Sequence, residues 1–321
     1  MFTNKTVLIT GGTGSFGKNF AKFLLKNYQL KKLIVFSRDE LKQFQMEKEI
    51  NDDRLRFFIG DVRDLSRLER AFTGVDIVVH AAALKQVPTL EYNPFEAVKT
   101  NILGSQNVID AAINKKVNKV LLISTDKAAH PANLYGATKL CAEKLFIDGN
   151  AYGDRETKFS CVRYGNVVGS RGSIIETLLN NKDILKVKIT SLDMTRFWIT
   201  LEQTFALVCF ALENMEGGEI FVPKIPSMKL SDIFDALAPQ AEKEIIGIRP
   251  GEKLHEVLLT TQETRHAKEL EKYYVIIPEF LNPNNFKKYH EIGKDLEPNF
   301  YYASNTNKEW LDIESFIKNI L

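Results

Sequence analysis

A glycine-rich turn near the N-terminus constrains the fold of this chain more than any other feature. The run Gly11-Gly12-Thr13-Gly14-Ser15-Phe16-Gly17 lies between an apolar segment, 6–10, and a helix-forming segment, 18–27. Glycine lets the backbone turn tightly and approach a pyrophosphate, which rests on the N-terminus of the following helix. Between a first strand and a first helix, this spacing predicts a dinucleotide-binding βαβ unit. The predicted contacts from the turn are Gly11, Thr13, Gly14, Ser15, Phe16 and Gly17.

Strand-like and helix-like segments alternate along the chain as far as about residue 170. The predicted strands are 6–10, 32–36, 55–59, 76–79, 119–123 and 159–162, and one helix is predicted over 95–113. This alternation predicts an α/β fold with a Rossmann-type doubly wound parallel sheet. Later segments mix short strands and helices, which indicates a smaller C-terminal α/β substrate lobe. We expect a nucleotide-binding domain over 1–170, to which some later segments return, and a substrate-binding lobe and tail over 171–321.

Composition excludes several classes of function. The chain has 321 residues, of which 44% are apolar and 26% charged, with a net charge of +2. These values are ordinary for a soluble globular protein, and the charge indicates neither a nucleic acid nor a membrane partner. Three cysteines without metal-like spacing fit a reducing cytoplasm, and the five histidines form no ligand pair at helical spacing. We therefore expect a cytoplasmic protein without a signal peptide, a membrane span or a metal.

The end of the second predicted strand indicates which dinucleotide is bound. Enzymes that prefer NAD usually carry an acidic residue there, for the ribose 2′-hydroxyl. Here the strand runs into Ser37 and Arg38, and Lys42 follows one turn later. A guanidinium can grip a 2′-phosphate through two hydrogen bonds, so we predict NADP with contacts from these three residues. The alternative is that Arg38 is solvated and Asp39 binds the ribose.

Small and polar residues end the next two predicted strands. Asp61 could accept a hydrogen bond from the adenine amino group, or it could cap the following helix. The alanines after the fourth strand allow close approach of the cofactor, whereas His80 is predicted to be a core residue. The remaining predicted cofactor contacts are Asp61, Val62, Ala81, Ala82, Ala83 and Val167.

A second motif follows the fifth predicted strand, where Thr125 ends an apolar run. Tyr135 and Lys139 lie four residues apart in a predicted helix, 134–145, so they share one face. An ammonium beside a phenol favours the phenolate and lowers its pKa, which would provide a proton acceptor near neutral pH. We predict that both residues also contact the cofactor and that Thr125 hydrogen-bonds the substrate hydroxyl. The alternative is that Tyr135 and Lys139 lie on an ordinary solvated helix face. The dinucleotide motif upstream favours the functional interpretation over this one.

Taken together, these motifs resemble the extended short-chain dehydrogenase/reductase family. Within it, Lys127 after Asp126 is similar to the inverting UDP-N-acetylglucosamine 4,6-dehydratases, hydro-lyases of pseudaminic acid synthesis. The same group is matched by the runs at 37–42, 135–139, 163–173, 194–198 and 249–256. The resemblance extends from residue 5 to about residue 277.

The resemblance implies a reaction sequence. Hydride leaves C4 of the sugar for the cofactor, while Tyr135, aided by Lys139 and Thr125, takes the C4 hydroxyl proton. The new ketone acidifies C5, so Lys127 removes that proton and a protonated Asp126 donates to the departing C6 hydroxyl. Hydride returns to C6, which gives a UDP-4-keto-6-deoxy-L-arabino-hexulose for pseudaminic acid or a related surface glycan. Burial should lower the pKa of Lys127, and the proton returned to C5 comes from Lys127, water or another residue.

The resemblance also implies contacts to UDP-N-acetylglucosamine. Arg249 would bind the diphosphate, although the residues alone favour an exposed arginine before a Pro-Gly turn. Asn166 either bonds the diphosphate or caps a turn, and Lys85 either reaches a sugar hydroxyl or lies on a solvated loop. The complete predicted set is Lys85, Asn166, Arg171, Thr190, Arg249 and Glu252.

Three other functions remain as alternatives. A retaining dehydratase would use the same acid/base pair with a different protonation face at C5. A UDP-sugar 4-epimerase or 4-reductase needs Tyr135 and Lys139 but not the pair at 126 and 127. An NADP-sensing protein without catalysis typically lacks the tyrosine or the lysine, and this chain has both. For the enzyme we expect a homo-oligomer.

Overall fold

The structure is a computed structural model and describes residues 1–152, 156–169, 174–181, 184–281 and 283–320. Strands and helices alternate through its N-terminal half, as the sequence predicts. The strands are β1 (Thr6–Thr10), β2 (Lys32–Ser37), β3 (Leu55–Ile59), β4 (Ile77–His80), β5 (Lys119–Ile123), β6 (Lys158–Val162), β7 (Asn166–Val167), β8 (Lys186–Ile189), β9 (Thr195–Ile199), β10 (Ile220–Pro223), β11 (Ser227–Lys229), β12 (Glu242–Ile245), β13 (Val257–Leu259), β14 (Ala267–Glu269), β15 (Tyr273–Ile276), β16 (Lys294–Asp295) and β17 (Tyr302–Ala303).

The helices cover both faces of the main sheet and extend into the C-terminal half. The α-helices are α1 (Ser15–Asn27), α2 (Glu40–Ile50), α3 (Leu65–Phe72), α4 (Val87–Tyr92), α5 (Pro94–Ala97), α6 (Gly104–Asn114), α7 (Leu134–Asp148), α8 (Ile174–Asn180), α9 (Leu201–Asn214), α10 (Leu230–Leu237), α11 (Thr261–Thr264), α12 (Lys287–Ile292) and α13 (Ile313–Ile320). A π-helix spans Val98–Leu103, and 3₁₀ turns span Asp126–Ala128, Gly149–Ala151 and Pro283–Phe286.

The main sheet has the strand order β16-β14-β15-β10-β6-β5-β4-β1-β2-β3. From β3 to β10 all neighbours are parallel. The central strands are buried on both faces, as parallel strands covered by helices require: every residue of β1 and β4 is buried, whereas β3 at the edge is partly exposed. The prediction of a Rossmann-type doubly wound sheet is confirmed.

Three short antiparallel strands extend the sheet beyond β10. β15 pairs with β10, β14 with β15, and β16 with β14. The sequence analysis predicts none of these strands. Each has two to four residues, which is too short to display an alternating pattern. Segments from the C-terminal half therefore share the sheet of the N-terminal half.

The single helix predicted over 95–113 is interrupted. α5 passes into the π-helix, and α6 begins at Gly104. Inside the wide turn, the Asn101 side chain accepts from the backbone N–H of Leu84 at 2.8 Å and donates to its carbonyl at 2.9 Å. A Cβ on Gly104 would lie 2.8 Å from Val62 Cγ2, so the helix also packs too closely there for a larger residue. Wide turns of this kind occur mostly at functional sites.

The C-terminal half adds three small sheets, with the orders β11-β9-β7, β12-β8 and β13-β17. A separate apolar cluster packs around Trp198, Met228 and Phe316. The division into a cofactor domain over 1–170 and a substrate lobe over 171–321 stays a prediction.

None of the helices in the part of the chain that the structure describes is both long and apolar enough to cross a membrane. Over the same residues, histidine, cysteine, aspartate and glutamate side chains form no group of three or more that could hold a metal ion.

Candidate active site

The predicted cofactor and catalytic motifs meet at one edge of the sheet. β1 lies between β2 and β4 in the strand order, so the connections after β1 and β4 turn to opposite sides. Doubly wound sheets bind ligands in the crevice outside the carboxyl ends of their strands, at such a switch point. The glycine-rich turn follows β1, and Thr125 follows β5 at the same edge.

The glycine turn is packed too tightly for side chains. Gly11 has φ +65°, and a Cβ there would lie 2.8 Å from Ala82 Cα. A Cβ on Gly17 would lie 2.5 Å from Gly12 Cα, inside the contact between the turn and α1. Gly14 is the N-cap of α1, whose first turn contains no acidic residue. The turn therefore presents backbone N–H groups on a helix N-terminus, which suits a pyrophosphate.

A cavity of about 420 Å³ lies beside this turn. The predicted cofactor residues that line it are Gly11, Thr13, Gly14, Ser15, Phe16, Gly17, Ser37, Arg38, Lys42, Asp61, Val62, Ala81, Ala82 and Ala83. The size is in the range of ligand pockets, roughly 300–1,000 Å³. The residues present therefore fit a dinucleotide.

Acidic and basic groups alternate at the mouth of this cavity. Arg38 lies 3.6 Å from Asp61, and the Lys42 ammonium lies 2.7 Å from the Asp39 carboxylate. Asp39 also caps α2 by accepting a hydrogen bond from the Lys42 backbone N–H. Arg38 is half exposed, and both Arg38 and Asp39 line the cavity. The 2′-phosphate interpretation therefore keeps Arg38 as its candidate, and the ribose interpretation keeps Asp39.

A second cavity of about 490 Å³ adjoins the first, since both are lined by Ser15, Phe16, Ala81, Ala83 and Lys85. It brings together predicted catalytic and substrate residues from both halves of the chain. The predicted residues that line it are Lys85, Thr125, Lys127, Tyr135, Lys139, Asn166, Val167, Thr190, Arg249 and Glu252. Arg171 lies outside the described residues.

Helix α7 is fixed against the turn that carries Asp126 and Lys127. The Asn133 side chain caps α7 by accepting from the Gly136 N–H at 2.8 Å, and it donates to the Gly251 carbonyl at 2.7 Å. A Cβ on Gly136 would overlap the Lys127 carbonyl oxygen, so only glycine permits this contact. The close contact holds Tyr135, one residue earlier, beside the acid/base pair.

The predicted effect of Lys139 on Tyr135 is wrong. Burial raises the pKa of Tyr135 to about 12, and the cation whose charge opposes this is Lys127. The Lys139 ammonium instead donates to the Ile123 carbonyl at 2.8 Å, and burial lowers its own pKa to about 8. A hydrogen bond with Thr125 also favours the Tyr135 phenolate. Desolvation of the phenol outweighs both effects.

The predicted lowering of the Lys127 pKa is also wrong. Burial lowers it, but the charges of Asp126 and Glu256 raise it by more, so it lies above its ordinary value. The Lys127 ammonium lies 3.0 Å from Asp126 Oδ1 and 3.3 Å from Glu256 Oε1. Burial raises the pKa of Asp126, as its predicted role as a proton donor requires. Asp126 Oδ2 is buried and has no hydrogen-bond partner among the described residues.

Sequence reasoning missed Glu256 and two cations beside it. Glu256 Oε2 lies 3.0 Å from the Lys253 ammonium, and Glu256 Oε1 lies 3.9 Å from Arg196 Nε. These cations and Lys127 hold the pKa of Glu256 at about 2, although burial raises it. Glu256 and Lys253 belong to the run 249–256, and Arg196 belongs to the run 194–198. The feature of the sequence that could have indicated Glu256 is the cluster of charged residues in 249–256, directly before the buried strand β13.

A buried ion network connects helix α7 to its neighbours. Arg163, at the end of β6, bonds Glu143 of α7 at 2.6 Å and Glu263 of α11 at 2.8 Å, and its side chain is fully buried. Glu143 also accepts from the Ser124 hydroxyl at 2.5 Å. The network therefore joins the sheet, α7 and a C-terminal segment through charge-assisted bonds.

His80 is a core residue, as predicted. Its Nδ1 pairs with the Thr10 hydroxyl at 2.6 Å and its Nε2 with the Ser105 hydroxyl at 3.2 Å. Burial, with a smaller effect of the Lys139 charge, lowers its pKa to about 3. The imidazole is therefore neutral at physiological pH and lies behind the glycine turn.

Of the candidate substrate contacts, Thr190, Arg249 and Glu252 line the second cavity but not the one beside the glycine turn, whereas Lys85 lines both. Thr190 donates to Glu252 Oε2 at 3.0 Å, and the Arg249 backbone N–H points at the same oxygen at 3.4 Å. The Arg249 side chain is exposed, so the diphosphate contact and the exposed arginine before a Pro-Gly turn both remain interpretations of it.

Known proteins resemble this chain over its whole length. It is 49% identical to a UDP-N-acetylglucosamine 4,6-dehydratase (inverting) from Campylobacter jejuni, over 100% of this chain and 98% of the relative. It is 42% identical to a UDP-glucose 4-epimerase from Rickettsia conorii, over 100% of this chain and 96% of the relative.

Solved structures share its fold. The X-ray structure of Pen from Bacillus thuringiensis superposes with a TM-score of 0.90 at 40% identity, over 99% of this chain and 97% of that one. A dTDP-glucose 4,6-dehydratase from Streptomyces venezuelae with NAD bound has a TM-score of 0.69 at 22% identity, over 78% and 86% of the two chains.

The strand order, the glycine turn at the switch point and the tyrosine and lysine of α7 define an extended short-chain dehydrogenase/reductase, as the motifs predict. More particularly, the chain belongs to the family described as polysaccharide biosynthesis protein, which matches residues 7–278.

Proposed function

We propose that this protein is an NADP-dependent UDP-N-acetylglucosamine 4,6-dehydratase, a hydro-lyase that inverts the configuration at C5. The observation that carries the proposal is that Lys127, paired with Asp126, lines the same cavity as Tyr135. A base and a hydroxyl acceptor that line one cavity, with an acid paired to the base, are what elimination after oxidation needs. The Campylobacter jejuni relative carries the same activity in its name.

A nicotinamide dinucleotide would supply hydride chemistry here, by accepting the C4 hydride and returning it at C6. The glycine turn would hold its pyrophosphate, and Ala81, Ala82 and Ala83 leave room for close approach. Arg38 and Lys42 favour NADP over NAD, because both are cations that line the cavity and could bind a 2′-phosphate. Nucleotides released from the purified protein on denaturation identify the cofactor, and NAD without NADP would contradict this choice.

Tyr135 takes the C4 hydroxyl proton, with Thr125 as the hydrogen-bonding partner that orients it. The phenolate that accepts the proton is favoured by the Thr125 bond and by the Lys127 charge, both of which lower the pKa of Tyr135. Lys139 anchors the same helix face to the sheet through the Ile123 carbonyl.

Lys127, as the neutral amine, then removes the C5 proton, and Asp126 donates to the leaving C6 hydroxyl. The ammonium has to lose its own proton first, because burial lowers the pKa of Lys127 but the charges of Asp126 and Glu256 hold it above its ordinary value. Asp126 suits the donor role because burial favours its neutral, protonated form. Its Oδ1 accepts hydrogen bonds from Thr125 at 2.9 Å and Lys127 at 3.0 Å, which fixes the carboxyl beside both partners. The remaining oxygen, Oδ2, is the one left for the proton.

A UDP-sugar 4-epimerase is the second candidate, because the relative from Rickettsia conorii carries that name. Epimerisation needs the tyrosine and the cofactor but no exchange of the C5 proton. The two candidates therefore differ in whether deuterium enters C5 and whether C6 loses its hydroxyl.

Incubation with UDP-N-acetylglucosamine in heavy water, followed by NMR, tests the proposal. We expect a 4-keto-6-deoxy product with deuterium at C5 and the inverted configuration. Lys127→Ala should still oxidise C4 but leave C5 unexchanged, whereas Lys186→Ala, an exposed lysine of β8, serves as the matched control. A 4-epimer that retains its C6 hydroxyl, or full C5 exchange in Lys127→Ala, would contradict the assignment.

We further propose that the product serves pseudaminic acid or related surface glycan synthesis in the cytoplasm, and that residues 171–321 form the lobe that binds the UDP-sugar. These proposals rest on the sequence resemblance. A homo-oligomer is supported by exposed apolar side chains on neighbouring helices, with Tyr92 88% and Phe95 61% exposed. Light scattering of the purified protein tests the last point.

A further inference from the structure

Glu256 is a buried carboxylate to which the proposed mechanism assigns no role. It is 2% exposed, and it directly precedes β13. Its Oε1 faces the Lys127 ammonium at 3.3 Å, and its Oε2 faces the Lys253 ammonium at 3.0 Å. Its backbone is fixed as well, because the Glu256 N–H donates to the Ser304 hydroxyl at 2.9 Å and the Ser304 N–H donates to the Glu256 carbonyl. A rigid carboxylate therefore lies against the proposed C5 base.

We infer that Glu256 is the positioning residue for Lys127: it holds the Lys127 ammonium beside Asp126 and sets the pH at which that amine loses its proton. The inference deepens the proposed function, since it concerns the base of the C5 step. Lys127 is 24% exposed at its side chain and lines the cavity, so an amine without this partner could rotate away from the sugar.

The groups around Lys127 come from five elements. Asp126 lies on the same 3₁₀ turn, Tyr135 on α7 and Arg196 on β9, while Glu256 precedes β13. Burial lowers the pKa of Lys85, on the loop after β4, and the charge of Lys127 also lowers it. Of the two carboxyl groups, Glu256 is ionised at every physiological pH, because its pKa lies at about 2. Asp126 has a raised pKa, so Glu256 is the more constant negative charge beside the amine.

The cations around Glu256 increase the effect of its charge on the pKa of Lys127. Arg196 and Lys253 both lie against Glu256, at 3.9 Å and 3.0 Å. Without the Glu256 charge, Lys127 would keep the repulsion of Arg196 and lose one of its two attractive partners. Opposite charges at such distances shift a pKa by about 1–3 units, so removing one should lower the pKa of Lys127 by a similar amount.

The first test measures the protonation of Lys127 without relying on turnover. Acetylation of Lys127 by acetic anhydride, followed by mass spectrometry across pH 7–11, reports the fraction of neutral amine. In Glu256→Gln we expect the profile to move about 1–3 units lower, which makes labelling at least about tenfold faster at a given pH in this range. Lys253→Met is the matched control: it removes a different ion pair of Glu256 and should not move the profile to lower pH.

The second test measures C5 deuterium exchange against pH in the same variants. Glu256→Gln should shift the rising limb to lower pH and reduce maximal exchange, while KM for the UDP-sugar changes less than kcat. Glu256→Asp should restore the wild-type pH limb in part. If Glu256→Gln does not fold, Glu256→Gln/Lys253→Met removes one charge of each sign and is measured instead.

The outcomes separate the inference from the proposed function. An unchanged Lys127 labelling profile in Glu256→Gln, or in the double variant, overturns the inference whatever the substrate. A wild-type protein that releases no 4-keto-6-deoxy product contradicts the proposed function, while the labelling result still decides the role of Glu256.

Discussion

At the scale of single residues, burial shifts the pKa values of Tyr135 and Lys139 on α7 in opposite directions. The pKa of Tyr135 rises to about 12 and that of Lys139 falls to about 8, because desolvation disfavours the charged form of each. A helix face alone therefore does not activate the phenol. The groups that favour its ionised form, Thr125 and Lys127, come from the turn after β5.

Replacement of Tyr135 by phenylalanine should abolish the first oxidation. The change keeps the ring and its packing but removes the group that accepts the C4 proton, and losing a general base typically costs about 10²–10⁴-fold in rate. Single-turnover measurement of hydride transfer from C4-deuterated substrate checks this. Tyr164→Phe is a control, because it removes another buried phenol that lines the same cavity. Normal hydride transfer in Tyr135→Phe would exclude this role.

Arg38→Asp should weaken NADP binding and favour NAD. The new carboxylate would repel a 2′-phosphate and could accept hydrogen bonds from the ribose hydroxyls instead. Dissociation constants for both dinucleotides, measured by calorimetry, give the ratio. Arg67→Ala, which removes a half-buried arginine that bonds the Ile59 carbonyl, controls for loss of a nearby positive charge. Equal ratios in the wild type and Arg38→Asp would exclude a 2′-phosphate contact.

At the scale of an element, the first βα turn owes its shape to three close approaches. A Cβ added to Gly11 would contact Ala82, and one added to Gly17 would contact Gly12. A Cβ added to Gly14 would lie 3.1 Å from the Gly11 carbonyl oxygen. All three contacts are with backbone atoms, so none can be relieved by moving a flexible side chain.

Gly17→Ala should therefore weaken dinucleotide binding more than Gly14→Ala does. The Gly17 methyl group would lie 2.5 Å from Gly12 Cα and force α1 away from the turn, whereas the Gly14 methyl group meets a single oxygen at 3.1 Å. The amount of nucleotide bound to each purified variant and its thermal midpoint check the order. The expectation is wrong if Gly17→Ala retains a full complement of cofactor.

The sequence predicts the parallel half of the sheet better than its antiparallel extension. β1 and β5 have the predicted bounds because a continuous apolar run and flanking polar residues mark them clearly. β14 and β16 could not be predicted, since strands of two or three residues depend on partners distant in sequence. The candidate site divides in the same way: residues in local motifs were found, whereas Glu256 acquires its role only from contacts with Lys127 and Arg196 across the fold.

At the scale of the whole molecule, a neutral buried histidine couples stability to pH. The pKa of His80 falls from its ordinary 6.5 to about 3 on folding. Below pH 6.5 the unfolded chain binds a proton that the folded chain refuses, so the free energy of unfolding decreases as pH falls toward 3. The burial of His80 therefore contributes to acid sensitivity between these two values.

His80→Asn should flatten the fall of the thermal midpoint between pH 6.5 and 4.5, even though it lowers the midpoint at pH 8. Asparagine keeps a donor and an acceptor for Thr10 and Ser105 but cannot titrate. His130→Asn is the control, because His130 is exposed and its φ of +47° is one that asparagine tolerates. The same acid slope in His80→Asn and the wild type would remove His80 from this role.

The bonds that Ser304 makes have a consequence for synthesis on the ribosome. Its hydroxyl meets the Thr195 hydroxyl at 2.6 Å and accepts from the Glu256 N–H, and the adjacent β17 pairs with β13. Domains usually fold N-terminal first as they emerge. The parallel sheet and its glycine turn can thus form while translation continues, but the segment behind Lys127 lacks these bonds until the residues around Ser304 have left the exit tunnel. A nascent chain would acquire its cofactor pocket well before it could acquire its complete acid/base centre.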